Sequence, residues 1–165
     1  MIQVRVLGIA LDASQQHIVL LKPLLEEPGE GRVLPIWIGT QEATSILIAL
    51  GDEPPPRPLT HDLMKTLLDT VGATVDRIAV TRIEDGTFYA ELTLTTPTGT
   101  LVLDTRPSDA IALAVRTDAP LFVAEEVLDE SGIPAEMAEA RPAEEEALDE
   151  FKKFLEDVDP EDFQG

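Results

Sequence analysis

Three short stretches hold nearly all the residues able to do chemistry: Thr40 with Glu42; Arg57, Thr60, His61 and Asp62; and Asp104, Arg106, Ser108 and Asp109. Each sits where a helix should begin. A helix N-terminus presents unsatisfied backbone N–H groups and a partial positive charge, which suits phosphate. Arg57, Arg106 and the hydroxyl of Ser108 add side chains that bind phosphate, the arginines bidentately. Glu42, Asp62, Asp104 and Asp109 are oxygen ligands of the kind that hold Mg²⁺ or Mn²⁺, a cation able to activate water for phosphodiester hydrolysis. His61, followed by Asp62 at a helix start, is of the type that serves as general base or metal ligand, or that simply lies on the surface. The expected catalytic set is therefore His61, Asp62, Asp104 and Asp109. The same residues have a plainer use: Thr40, Thr60 and Ser108 as caps, the acids as first-turn partners of the helix dipole, and the arginines as neutralisers of nearby charge.

What is missing narrows the chemistry. The chain has no cysteine and two histidines, so thiolate chemistry and a histidine-rich metal site are excluded. No zinc-binding spacing and no glycine-rich phosphate loop occurs. Glu150-Phe151-Lys152 matches half of a common nuclease motif, but it lies in an acidic segment and is read as chance. The net charge is −20, with 20 acids and 9 bases in residues 1–133 and 12 acids and 3 bases in 134–165. Such a body argues against broad duplex binding and leaves a local basic cleft as the route to nucleic acid.

The elements that must position these residues are legible from periodicity. Strands are expected at Ile2 to Gly8, His17 to Leu21 and Val33 to Ile38, then a helix from Thr40 to Leu50. A proline-rich connector, Pro54 to Pro58, precedes a helix from His61 to Val71 whose Leu63, Leu67, Leu68 and Val71 share one face. A hairpin follows: Ile78 to Ile83, a turn at Asp85-Gly86, and a strand with Phe88, Ala90, Leu92 and Leu94 on the buried side. A strand from Leu101 to Thr105 leads through Pro107 into an apolar helix, Ser108 to Arg116, which should be central. A short strand at Pro120 to Val123 and a helix from Glu125 to Ser131 complete the body. The fold class is α+β, with a mixed, mainly antiparallel sheet. A shift of 67 residues lays Leu34, Ile36, Glu42, Ala43 and Ile46 on Leu101, Leu103, Asp109, Ala110 and Leu113, as duplication of a strand-strand-strand-helix unit would.

Residues 134–165 read as a separate acidic tail, partly helical, able to dock on a protein partner through Phe151, Phe154, Leu155 and Val158. With no basic leader and no apolar run of membrane length, a cytoplasmic protein without membrane contact is expected. The hairpin and the Trp37 strand offer surfaces for a homodimer.

Four blocks in order resemble the bifunctional nuclease domain: Leu34-Pro35-Ile36-Trp37-Ile38-Gly39 with Glu42-Ala43; Arg57-Pro58-Leu59-Thr60-His61-Asp62-Leu63; Asp85-Gly86-Thr87-Phe88-Tyr89-Ala90; and Asp104-Thr105-Arg106-Pro107-Ser108-Asp109-Ala110 through Ala114. The resemblance covers about residues 2–131. It implies a nuclease acting on DNA or RNA, single-stranded substrate fitting the acidic body better. It brings no assigned catalytic set. A non-catalytic module that binds an anion or a protein is the alternative.

Overall fold

The computed structural model describes residues 1–139 of the 165. Its elements are β1 (Ile2–Leu11), β2 (His17–Pro23), β3 (Arg32–Ile38), α1 (Thr40–Leu50), α2 (Thr60–Thr70), β4 (Thr74–Glu84) and β5 (Thr87–Thr96), followed by β6 (Gly99–Thr105), α3 (Pro107–Thr117), β7 (Leu121–Val123), α4 (Glu125–Ser131), β8 (Ile133–Pro134) and α5 (Ala135–Glu139). The strands form one eight-stranded sheet in the order β6-β5-β4-β7-β1-β2-β3-β8. Only β4 and β7 pair in parallel among the described strands. The α+β class with a mainly antiparallel sheet is thus what the chain adopts.

Two antiparallel meanders, β1-β2-β3 and β4-β5-β6, are spliced by the three residues of β7. Each leads into a helix through one connecting residue, Gly39 before α1 and Arg106 before α3. The shift of 67 residues carries the bounds of β3 onto those of β6 and the bounds of α1 onto those of α3. The β4–β5 turn uses local chemistry. Asp85 and Gly86 take φ of 50° and 76°, the pair of positive values a two-residue turn needs.

Helix α3 is the hub, packed on α1, α2, β4 and β5. Its alanines 110, 112 and 114 are fully buried, and small side chains let the helix axes approach. α4 touches both β3 and β4, which have three strands between them, so the sheet curls around the core. Val19, Leu34, Ile46, Ile78, Ile111, Leu113 and Leu128 fill that core.

Several local expectations need correction. Thr40 and Thr60 are first helical residues rather than caps, and Ser108 is the second; the N-caps are Gly39, Leu59 and Arg106, and none makes a side-chain cap bond. The leucine face of α2 is not buried either: Leu63, Leu67 and Val71 are exposed, and His61 is the helix's one buried residue. Pro134, expected to begin the tail, completes β8 with Ile133, and Ala135–Glu139 form α5, with Ala135 buried and its N–H bonded to the Gly31 carbonyl at 2.9 Å. The motif Glu150-Phe151-Lys152 and the apolar residues from Phe151 onward lie outside the described residues. No helix among the described residues is long and apolar enough to cross a membrane.

Candidate functional site

The first turns of α1, α2 and α3 converge because the two equivalent helices pack against each other and α2 packs on α3. Each carries an acid at its third position: Glu42, Asp62 and Asp109. Two of them, equivalent under the 67-residue shift, meet on one cation. Arg106 Nη2 donates to Glu42 Oε1 at 2.8 Å, and its Nε donates to Asp109 Oδ2 at 2.8 Å. The bonds to Asp109 and then Glu42 raise the Arg106 pKa above its ordinary value.

His61 extends the chain inward. Its Nε2 lies 3.0 Å from Asp109 Oδ1 and its Nδ1 lies 2.7 Å from Ser45 Oγ. Burial pushes the Asp109 carboxyl up, but the bonds from Arg106 and His61 outweigh it and hold the pKa below the ordinary carboxyl value. An ionised Asp109 can only accept, so Nε2 carries the ring proton and Nδ1 accepts from the Ser45 hydroxyl. A hydroxyl, a histidine and an orienting carboxylate in series are the parts of a proton-transfer chain. Ser45, Glu42, His61, Arg106 and Asp109 line one cleft of about 920 Å³, with Pro58 to Thr60, Met64 and Thr105 as walls. Gly39 leaves room for Glu42: a Cβ there would stand 2.2 Å from Glu42 Oε2, the far end of a flexible side chain.

Asp62 serves a different group. Its Oδ2 accepts from the Leu59 N–H at 2.8 Å and its Oδ1 from Arg116 Nε at 2.7 Å. Burial pushes its carboxyl up; the Arg116 bond and the Leu59 N–H prevail and lower the pKa. Arg116 also donates to the carbonyls of Ala112 at 2.7 Å and Ser45 at 3.1 Å, two residues equivalent under the shift of 67. The nearly buried guanidinium thus pins α1 to α3 and both to α2.

Of the residues expected from sequence, Glu42, His61, Arg106 and Asp109 come together. Asp62 faces Arg116. Asp104 lies opposite Glu91 on β6, exposed, and lines neither main cleft; Arg57 is exposed on the connector and lines neither. Ser108 is buried at the rim of a second cleft of about 610 Å³, which shares Thr40 and Arg106 with the first and contains Trp37, Phe88 and His17. The four carboxylates considered as metal ligands therefore do not form one set, and no group of three potential ligands is found among the described residues. Ser45 and Arg116 escaped sequence reading. A serine in the second turn of an apolar helix and an arginine in the last turn of another look like a solvated residue and a dipole partner.

The chain matches the bifunctional nuclease domain over residues 23–136. It is 39% identical to an uncharacterized protein of Mycobacterium tuberculosis, over 99% of this chain and 98% of that protein. It is 28% identical to bifunctional nuclease 1 of Oryza sativa subsp. indica and 31% identical to bifunctional nuclease 2 of Arabidopsis thaliana. Those matches cover 74% and 59% of this chain but only 37% and 30% of the plant proteins. The chain belongs to the bifunctional nuclease domain family.

Proposed function

We propose that this protein hydrolyses phosphodiester bonds in single-stranded DNA or RNA at the cleft between the first turns of α1, α2 and α3. The observation that carries the reading is the hydrogen-bonded series Ser45–His61–Asp109–Arg106–Glu42 lining that cleft. Arg106, two-thirds exposed on its side chain, binds the scissile phosphate. His61 moves the proton, and Ser45 is the first hydroxyl whose proton it can take. Asp109 keeps the imidazole in one tautomer. The adjoining cleft gives an unpaired base the faces of Trp37 and Phe88, a sequence-tolerant mode of binding that a duplex cannot use. A divalent cation, Mg²⁺ or Mn²⁺, would be held by Glu42 and Asp109 in place of Arg106, and would offset the charge these acids present to the substrate. The names of the rice and Arabidopsis relatives support the same reaction class.

The test is cleavage of end-labelled single-stranded DNA and RNA by protein purified to homogeneity, with and without chelator. His61→Ala and Arg106→Ala should each lower kcat/KM by about 100-fold or more. Ser45→Ala separates two uses of the hydroxyl: a nucleophile's loss abolishes turnover, whereas loss of an orienting bond leaves a measurable rate. Cleavage unchanged in His61→Ala would defeat the proposal. A second reading, a non-catalytic module binding a small anion or a protein, is favoured by one observation: no buried side-chain nitrogen or oxygen among the described residues lacks a partner, so the network is complete without a reaction. Thermal stabilisation by inorganic phosphate without any cleavage would select it.

A further inference from the structure

The turn between β1 and β2 is built on one carboxylate. Asp12 Oδ1 accepts from the backbone N–H of Ser14 at 2.8 Å and of Gln16 at 2.9 Å. The Asp12 N–H donates to the Gln16 carbonyl at 2.9 Å, and its carbonyl accepts from the Gln15 N–H at 3.0 Å. These bonds hold Gln15 at a φ of 64°, a left-handed conformation uncommon for a residue with a side chain. The turn thus draws on one carboxylate oxygen. The other, Oδ2, accepts from Trp37 Nε1 at 2.9 Å, reaching a strand two places from β1 in the sheet.

Trp37 is 53% exposed and lines the cleft of about 610 Å³ with Phe88, His17 and Arg106. An exposed side chain changes rotamer within picoseconds to nanoseconds unless something holds it. The indole N–H can only donate, and its bond to a carboxylate is of the stronger, charge-assisted kind. Asparagine would build the same turn with its single oxygen and without a charge that repels phosphate. What the acid adds is a second acceptor, and the indole is bonded to it.

We infer that Asp12 is a positioning residue for strand binding, its Oδ2 holding the Trp37 indole as a preset platform for the unpaired base beside the scissile phosphate. The inference rests on the strand-cleaving function proposed above. Arg106 lines both clefts, so the base that reaches Trp37 belongs to a nucleotide flanking the phosphate that Arg106 binds. Stacking on an aromatic face is available to every base. A ring ordered before the substrate arrives spares binding the cost of freezing it, worth about fivefold in affinity for one large side chain.

The experiment uses the full chain. Asp12→Asn keeps an oxygen for the Ser14 and Gln16 N–H groups but sets an amide, itself a donor, against the indole N–H. Trp37→Phe keeps a stacking ring with no N–H to hold. The two make a double-mutant cycle in which effects of Asp12→Asn on the turn and on charge cancel. Dissociation constants for dye-labelled oligothymidylate are read from the dye's anisotropy in the His61→Ala background, where the strand is not cleaved. Asp12→Asn should weaken binding about fivefold with Trp37 in place and should not weaken it in the Trp37→Phe background. Because Trp37 is the chain's single tryptophan, its own emission reports the hold, and Asp12→Asn should add a sub-nanosecond component to its anisotropy decay. With His61 intact, Asp12→Asn should raise KM by a similar factor and leave kcat near that of wild type. Equal weakening in both backgrounds, an unchanged decay or a fall in kcat alone overturns the inference and leaves the proposed function standing. A chain that binds no strand with Asp12 and Trp37 both in place overturns the two together.

Discussion

Arg116 spends its bonding capacity on three helices, taking the Asp62 carboxylate, the Ala112 carbonyl and the Ser45 carbonyl with no solvent needed. Replacing it with methionine keeps the buried stem but leaves Asp62 with the Leu59 N–H alone and removes the side-chain bonds to two helix carbonyls. Breaking a buried pair from one side costs about 3 kcal/mol when the survivor can partly rehydrate, as Asp62 can. Arg116→Met should therefore lower the melting temperature by roughly 10 °C. The ring of His61 should also lose its fixed place against Ser45. Asp62 and Asp109 both have folded pKa values below the ordinary 3.8, so the stability they carry is complete above that value and is lost as the pH falls through the lowered ones. Denaturant midpoints measured from pH 5 down to pH 2 should fall steeply in wild type. They should fall less in Arg116→Met, whose Asp62 has lost its main anion-stabilising bond. Neither Ser45 nor Arg116 could be found in the sequence, because their partners are 16 and 54 residues away and nothing local marks either as unusual.

Helices α1 and α3 are the same element used twice, and the differences between the copies make the site. The connector before α3 is Arg106, a side chain reaching out to bind both first-turn acids; before α1 it is Gly39, leaving room for Glu42 to fold back. Gly39→Ala tests that asymmetry without touching any charged residue. Its φ of −72° suits alanine, so the backbone is not strained. The new Cβ must instead displace the Glu42 carboxylate, whose far end can swing. Stability should change by no more than about 1 kcal/mol, while kcat/KM for the proposed reaction falls and Glu42→Gln on top of it adds little. Full activity in Gly39→Ala would mean that the Glu42–Arg106 pair is dispensable. At this scale the sequence was informative: the 67-residue register, the Asp85-Gly86 turn and the buried α3 all follow from periodicity and turn chemistry. It misled at α2, where a leucine stripe reads as a core face whichever surface eventually covers it. It was silent on β8, since two residues ending in proline carry no period, and on the parallel pairing of β4 with β7, which depends on the whole chain being folded.

The charge of the whole molecule sets how the proposed strand binding responds to salt. Residues 1–133 carry 20 acids and 9 bases, and of those bases Arg106 is the one lining the cleft where the phosphate is bound. Binding of a single strand that neutralises one or two phosphates gives a slope of log K against log salt of about −1, far shallower than the steep dependence of proteins that grip the backbone at many points. Base stacking at Trp37, insensitive to salt, would carry more of the affinity. The chain's single tryptophan allows strand binding to be followed. Trp37 is half exposed and lines the cleft next to Arg106, so quenching of its emission by oligothymidylate in the His61→Ala variant reports strand binding without cleavage. Raising sodium chloride from about 0.05 to 0.5 M should weaken quenching affinity by roughly tenfold. A steep loss of strand affinity would place the binding surface somewhere more basic than this cleft.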